Sequence, residues 1–114
     1  MLPASQRLRS KRDFKRIYAR GRSFVSPLLV LYVLPVRGDE RLVGFSISKK
    51  LGGAVIRNRI KRRLREVCRA RMVELKPGFQ AILVGRSRLK QAEFTEMEAT
   101  VESLFRQAKL KGQE

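Results

Sequence analysis

Apolar residues recur along this chain with two different periods, and the elements they predict change where the period changes. Phe14, Ile17 and Tyr18 share one helical face at i, i+3 and i+4. The helix is entered through Ser10-x-x-Asp13, a capping-box-like start with Asp in the place of Glu or Gln, and runs to about Arg20 with Gly21 as its C′ residue. Residues 28–34 form a continuous apolar run between Pro27 and Pro35, the length of a strand. After a polar turn at 35–40, residues 42–48 return as a second strand, so the two are expected to pair as a hairpin. In that second strand Val43, Phe45 and Ile47 point one way, and Gly44, Ser46 and Ser48 the other. The small polar side is either a solvated face or the floor of a groove.

The helical period then returns: Ile56, Ile60, Leu64, Val67 and Cys68 make one apolar face of a helix that stops at Lys76-Pro77-Gly78. Residues 79–85 are a further strand, and the strand–helix–strand succession predicts a crossover with at least one parallel pair. Such crossovers are nearly always right-handed. A last helix, preceded by Thr95 or Ala92, carries the stripe Phe94, Met97, Val101, Leu104, Phe105 and Ala108. Its other face holds Glu93, Glu96, Glu98 and Glu102, acids that suit a helix N-terminus and argue against contact with RNA. The chain thus reads as one domain over residues 1–114, an α+β two-layer fold with a mixed sheet and the order α-β-β-(β)-α-β-α. Residues 1–9, a basic arm, and the tail 110–114 are expected to be flexible.

Charge sharpens this picture. The chain is 114 residues long with a net charge of +17 and a pI near 11.5. Residues 1–22 carry +7 and residues 49–71 carry +9, so two segments hold nearly all of it. On the basic helix Asn58, Arg62, Arg65 and Arg69 gather opposite the apolar face, with Arg59 and Lys61 beside them. Like charges stand four apart (Arg57 and Lys61, Lys61 and Arg65, Arg65 and Arg69), which destabilises a helix unless a polyanion relieves it. A helix that merely faces water interleaves its signs. This one reads as a nucleic-acid-binding helix.

Composition also excludes much. There is no histidine, which removes His-based acid–base and nucleophilic chemistry, and one cysteine cannot make a zinc site or an intrachain disulfide. No pair of the ten acids is set up for catalysis, so no catalytic or metal-ligating residue is assigned. No disulfide-linked or membrane partner is expected, since no apolar run approaches the roughly 20 residues that span a bilayer. A reducing cytoplasm fits the single cysteine. The rings eligible to stack on unpaired bases are Phe14, Tyr18, Phe24 and Tyr32, while Phe45, Phe79, Phe94 and Phe105 look committed to packing. By alternation alone Tyr32 reads as core.

Arg57-Asn58-Arg59, preceded by Lys49-Lys50-x-Gly-x-Ala-Val and followed by Ile60-Lys61-Arg62, resembles the signature of the protein subunit of bacterial ribonuclease P, over roughly residues 7–109. The resemblance implies a left-handed crossover, against the general rule. It implies an endoribonuclease in which the RNA subunit, with Mg²⁺, performs the hydrolysis that matures the 5′ end of tRNA, and this chain is the non-catalytic subunit. Lys49, Lys50, Gly52, Arg57, Asn58, Arg59, Lys61, Arg62 and Arg65 are then implied to bind the catalytic RNA. Phe14, Tyr18 and Tyr32, with Arg9, Lys11, Ser46 and Ser48, are implied to hold the 5′ leader of precursor tRNA. Tyr18 stands where the family often has phenylalanine, and Arg63 where it often has an apolar residue. A ribosomal-type protein or RNA chaperone shares the size and charge, but not this ordered string with its aromatic trio.

Overall fold

A computed structural model describes residues 7, 8 and 10–110 of the chain. Three helices and four strands follow in the order α1 (Lys11–Arg20), β1 (Arg22–Val25), β2 (Leu29–Pro35), β3 (Arg41–Ser46), α2 (Ala54–Arg71), β4 (Phe79–Gly85) and α3 (Phe94–Gln107). The strands form one mixed sheet in the order β1-β2-β4-β3. β4 is antiparallel to β2 and parallel to β3, so the crossover through α2 joins neighbouring parallel strands.

The expected hairpin does not form: β2 and β3 are not partners, because β4 lies between them. The reason is burial. Residues 79–83 of β4 are buried without alternation, as suits a strand covered on both faces, and only a central position covers both. The 36–40 segment therefore steps over the end of β4, a span of about two strand spacings, roughly 10 Å. It is pinned there: the Val36 N–H donates to the Gly78 carbonyl (2.9 Å), and the N–H groups of Gly78 and Phe79 donate to the Glu40 carbonyl (2.7 and 3.0 Å).

Each face of the sheet has its own core. Leu29, Leu31 and Val33 of β2, with Val43, Phe79, Ala81 and Leu83, pack under α2 and α3. Ile82 on the opposite face packs with Ile17 of α1 and with Leu8, joined by half-buried Phe14, Tyr32, Leu34, Leu42 and Val84. The N-terminal segment is tied down where it can be followed. Arg7 bridges to Val43 at the free edge of β3, the Leu8 N–H donates to the Val43 carbonyl (3.0 Å), and Leu8 is buried.

Several boundaries differ from expectation. β1 precedes the run at 28–34 and is an exposed edge strand, too short and too polar to stand out as a separate apolar segment. β3 ends at Ser46, and Ser48 opens a 3₁₀ turn over Lys49–Leu51. Gly21 caps α1 with an extended backbone, not the left-handed one of a C′ glycine. What the site requires is space: a Cβ there would lie 2.6 Å from the Ile17 carbonyl oxygen and 2.9 Å from that of Val33. Phe94 begins α3 and stays exposed, because the helix starts beyond the edge of the core. Glu93 and Glu96 close a capping box there. At the other end Leu110, assigned above to a flexible tail, is buried, and its carbonyl accepts from the Lys76 N–H (2.7 Å). No helix among the described residues is long and apolar enough to cross a membrane.

Candidate nucleic-acid interface

Two cationic surfaces lie on opposite sides of the β3 edge. The first is built on α1. The Ser10 hydroxyl accepts from the Asp13 N–H (3.4 Å), starting the helix so that Ile17 faces the sheet and is fully buried. Phe14, one turn before that anchor, and Tyr18, the residue after it, lean over the flank of the helix with ring centroids 6.4 Å apart. Tyr18 meets Tyr32 of β2 edge to face, at 5.0 Å and 86°. Of the four eligible rings, Phe14, Tyr18 and Tyr32 therefore form one continuous aromatic surface, while Phe24 packs on the other face of the sheet. Tyr32 faces this cleft and not the main core, because its neighbours Leu31 and Val33 take the other side of the strand.

Phe14 reaches across to β3, where Gly44 makes room: a Cβ at Gly44 would stand 2.6 Å from the Phe14 Cζ. The small polar side of β3 is thus a floor under an aromatic ring. Lys11, Phe14, Lys15 and Tyr18 line an open concavity of about 510 Å³. Lys15 is a lining residue that sequence periodicity did not single out. Arg16 is drawn away from this surface, to Asp13 (2.8 Å) and to the buried Gln80, which in turn donates to Glu40 (3.3 Å). Ser46 shares the sheet face of the cleft and is half-buried, whereas Ser48 stands exposed beyond the end of the strand. Arg9 lies outside the described residues.

The second surface is α2. Ile60, Leu64, Val67 and Cys68 are buried, leaving Asn58, Arg59, Arg62 and Arg63 exposed and Arg57, Lys61 and Arg65 half-exposed. Arg63 is a polar neighbour of buried Leu64, so a basic residue there does not turn the helix. The helix is approached by the exposed Lys49-Lys50 turn and by Gly52, whose φ of +141° favours glycine and whose Cβ would crowd Ile56 at 3.0 Å. Arg57 folds back to donate from Nε to the Gly52 carbonyl (3.2 Å), tying the glycine turn to the first turn of the helix.

Between the two surfaces Arg7, Leu8, Val43, Phe45, Lys61 and Arg65 line a concavity of about 180 Å³, with three cations and no acid among the described residues of its wall. The Nε atoms of Arg7 and Arg65 are buried there without hydrogen-bond partners among the described residues. Arg7 could not be found by periodicity, since it precedes the first helix and gains its place only by bridging to β3. Among the described residues no group of His, Cys, Asp and Glu is large enough to hold a metal ion. The arrangement suits single-stranded RNA: rings for bases, beside cations for phosphates.

A sequence model of the family described as ribonuclease P matches residues 2–109. The chain is 42% identical over 106 residues to the ribonuclease P protein component of Herpetosiphon aurantiacus, covering 93% of this chain and 86% of that protein. It is 35% identical over 100 residues to that of Clostridioides difficile, covering 87% and 88%. Among solved structures it is similar to the RNase P protein of Staphylococcus aureus, with a TM-score of 0.87 at 30% identity, over 94% of this chain and 98% of that one. The RNase P protein of Thermotoga maritima matches with a TM-score of 0.79 at 30% identity, over 88% and 96%.

Proposed function

Since the chain belongs to the ribonuclease P protein family, we propose that it is the protein component of a ribonuclease P, binding the RNA subunit with α2 and the 5′ leader of precursor tRNA with the α1 cleft. The observation that carries the leader assignment is the contact of Phe14, Tyr18 and Tyr32 in one surface beside Lys11 and Lys15. Stacking on such rings contributes roughly 1–3 kcal/mol per base and tolerates any sequence. A mature tRNA has no leader to stack, so this surface discriminates precursor from product by the presence of the strand alone.

Lys49, Lys50 and the exposed arginines of α2 have a different role. They neutralise phosphates of the folded RNA subunit, with Asn58 as a hydrogen-bonding group among them. In this reading hydrolysis is performed by the RNA subunit, to which Mg²⁺ belongs. Among the described protein residues no three of His, Cys, Asp and Glu lie together as a ligand group. What this chain contributes is grip and charge. It holds the leader, offsets the repulsion between leader and RNA phosphates, and so raises the affinity for the precursor.

The test is reconstitution. Purified protein added to a bacterial ribonuclease P RNA at low salt and low Mg²⁺ is expected to restore correct 5′ cleavage of a precursor tRNA. Binding to that RNA no tighter than to random RNA, with no rescue, would move the assignment to a general RNA chaperone.

A further inference from the structure

A third concavity, of about 230 Å³, belongs to neither RNA surface. It opens on the helix-covered face of the sheet, between the edge strand β1 and the end of α3. Phe24, Pro35 and Pro77 contribute apolar walls, and the exposed side chains of Arg22, Lys76 and Lys109 contribute charge, with no acid among the described residues of the lining. The Arg22 guanidinium carbon lies 5.4 Å from the centre of the Phe24 ring. Lys109 holds its place at a cost, with φ at +59° in the left-handed region, where a glycine would be unstrained. This is the C′ position of α3, where the Leu110 N–H donates to the Phe105 carbonyl (3.0 Å) and the Lys109 N–H to the Arg106 carbonyl (3.0 Å), and that helix stop sets the side chain at the pocket mouth.

What gives this pocket a use is its position relative to the leader cleft. Ser23 pairs with Tyr32, and Arg22 with Val33, across β1 and β2. Successive residues of a strand project to opposite faces. Tyr32 therefore meets Tyr18 in the cleft, while Val33 lies on the other face and lines this pocket with Arg22. Only β1, the outermost strand of the sheet, separates the two. A strand of RNA leaving the cleft over this edge arrives at Arg22.

We infer that this pocket is a second subsite for the leader: it takes one unpaired nucleotide farther from the cleavage point, with its base against Phe24 and the prolines and its phosphates on Arg22, Lys76 and Lys109. The apolar walls suit a base, and three cations without an acid suit the phosphates on either side of it. The inference rests on the leader reading above and extends it to the opposite face of the sheet.

Binding of the assembled protein–RNA holoenzyme to three substrates tests it: mature tRNA, a precursor whose leader fills only the cleft, and a precursor with a longer leader. The longer leader is expected to bind roughly tenfold tighter than the short one, in line with one added stacked base. The variant R22Q/K76Q/K109Q, altered only at exposed side chains, is expected to lose that gain and to bind the short precursor as the native protein does. A full gain in the variant, or no gain from extension in the native protein, overturns the subsite and leaves the cleft untouched. Failure of the cleft itself shows differently, as equal binding of mature tRNA and the short precursor. Lys109→Gly supplies an independent arm: it is expected to raise the melting temperature while weakening the longer leader alone. A variant of higher melting temperature that binds the longer leader at full strength would also contradict the assignment.

Discussion

Cys68 shows how one side chain reports on the whole core. It is fully buried on the inner face of α2, and burial pushes its thiol from 9.0 up to about 12, with Arg71 nearby opposing part of that rise. Because the folded value is the higher one, the unfolded chain ionises first. Stability is therefore unaffected by this group below pH 9 and is lost progressively as pH rises from there toward 12. The same burial predicts that an alkylating reagent at pH 8 modifies Cys68 only at the rate of unfolding; fast labelling of the native protein would contradict it. Gly44 is a second decisive position. In Gly44→Ala the new methyl meets the Phe14 ring at 2.6 Å, so the ring must leave its seat on the sheet. The expected result is a loss of about 1–3 kcal/mol in stability together with weaker precursor binding, measured beside unchanged affinity for the RNA subunit. Cys68 as a core residue was readable from helical spacing. Gly44 as the seat of Phe14 was not, because nothing local says which ring will lie above a strand.

Among the elements, α2 joins two demands in one helix. Its apolar residues close the main core, and Arg71 in its last turn reaches Glu98 and Glu102 of α3, each at 3.6 Å, so the acids of α3 tie helix to helix. On its outer face Arg69 meets Glu66 at 3.0 Å, within a helix otherwise dominated by positive charge. Exposed ion pairs of that kind are screened by water and contribute too little to offset the rest of the helix's like charge. Affinity for RNA is therefore expected to fall linearly in a plot of log K against log salt. Arg62→Ala should reduce the slope by roughly 0.7–0.9, the share of one phosphate contact. An unchanged slope would remove Arg62 from the interface. The helix and its two faces follow from the sequence, since the period and the charges coincide. The pairing of β4 did not: its apolar run states that it is buried on both sides, but not between which strands. Ile82→Ala, deep in the second core, is expected to cost about 2–5 kcal/mol in denaturant unfolding.

On the scale of the whole molecule, about 37 × 30 × 25 Å, the sheet serves as a partition. One face and its edge present α2 and the Lys49-Lys50 turn, and the other presents the aromatic cleft of α1. The two roles should therefore separate by mutation. Phe14→Ala with Tyr18→Ala is expected to weaken precursor binding by one to two orders of magnitude, about 1–3 kcal/mol, while mature tRNA binds as before. Equal losses for both RNAs would sink the leader cleft. Local pattern determined the helices, the strand at 28–34, the burial of Ile60, Leu64, Val67 and Cys68, and the cationic character of α2, because periodicity and charge are properties of neighbouring residues. The tertiary structure decided the rest. It set β4 between β2 and β3, turned Tyr32 toward Tyr18 and placed Gly44 under Phe14. It also carried Arg7 to Lys61 and Arg65, and opened the pocket between β1 and α3. Each of these depends on which strands are neighbours across the sheet, and that is settled by burying both faces of β4 at once.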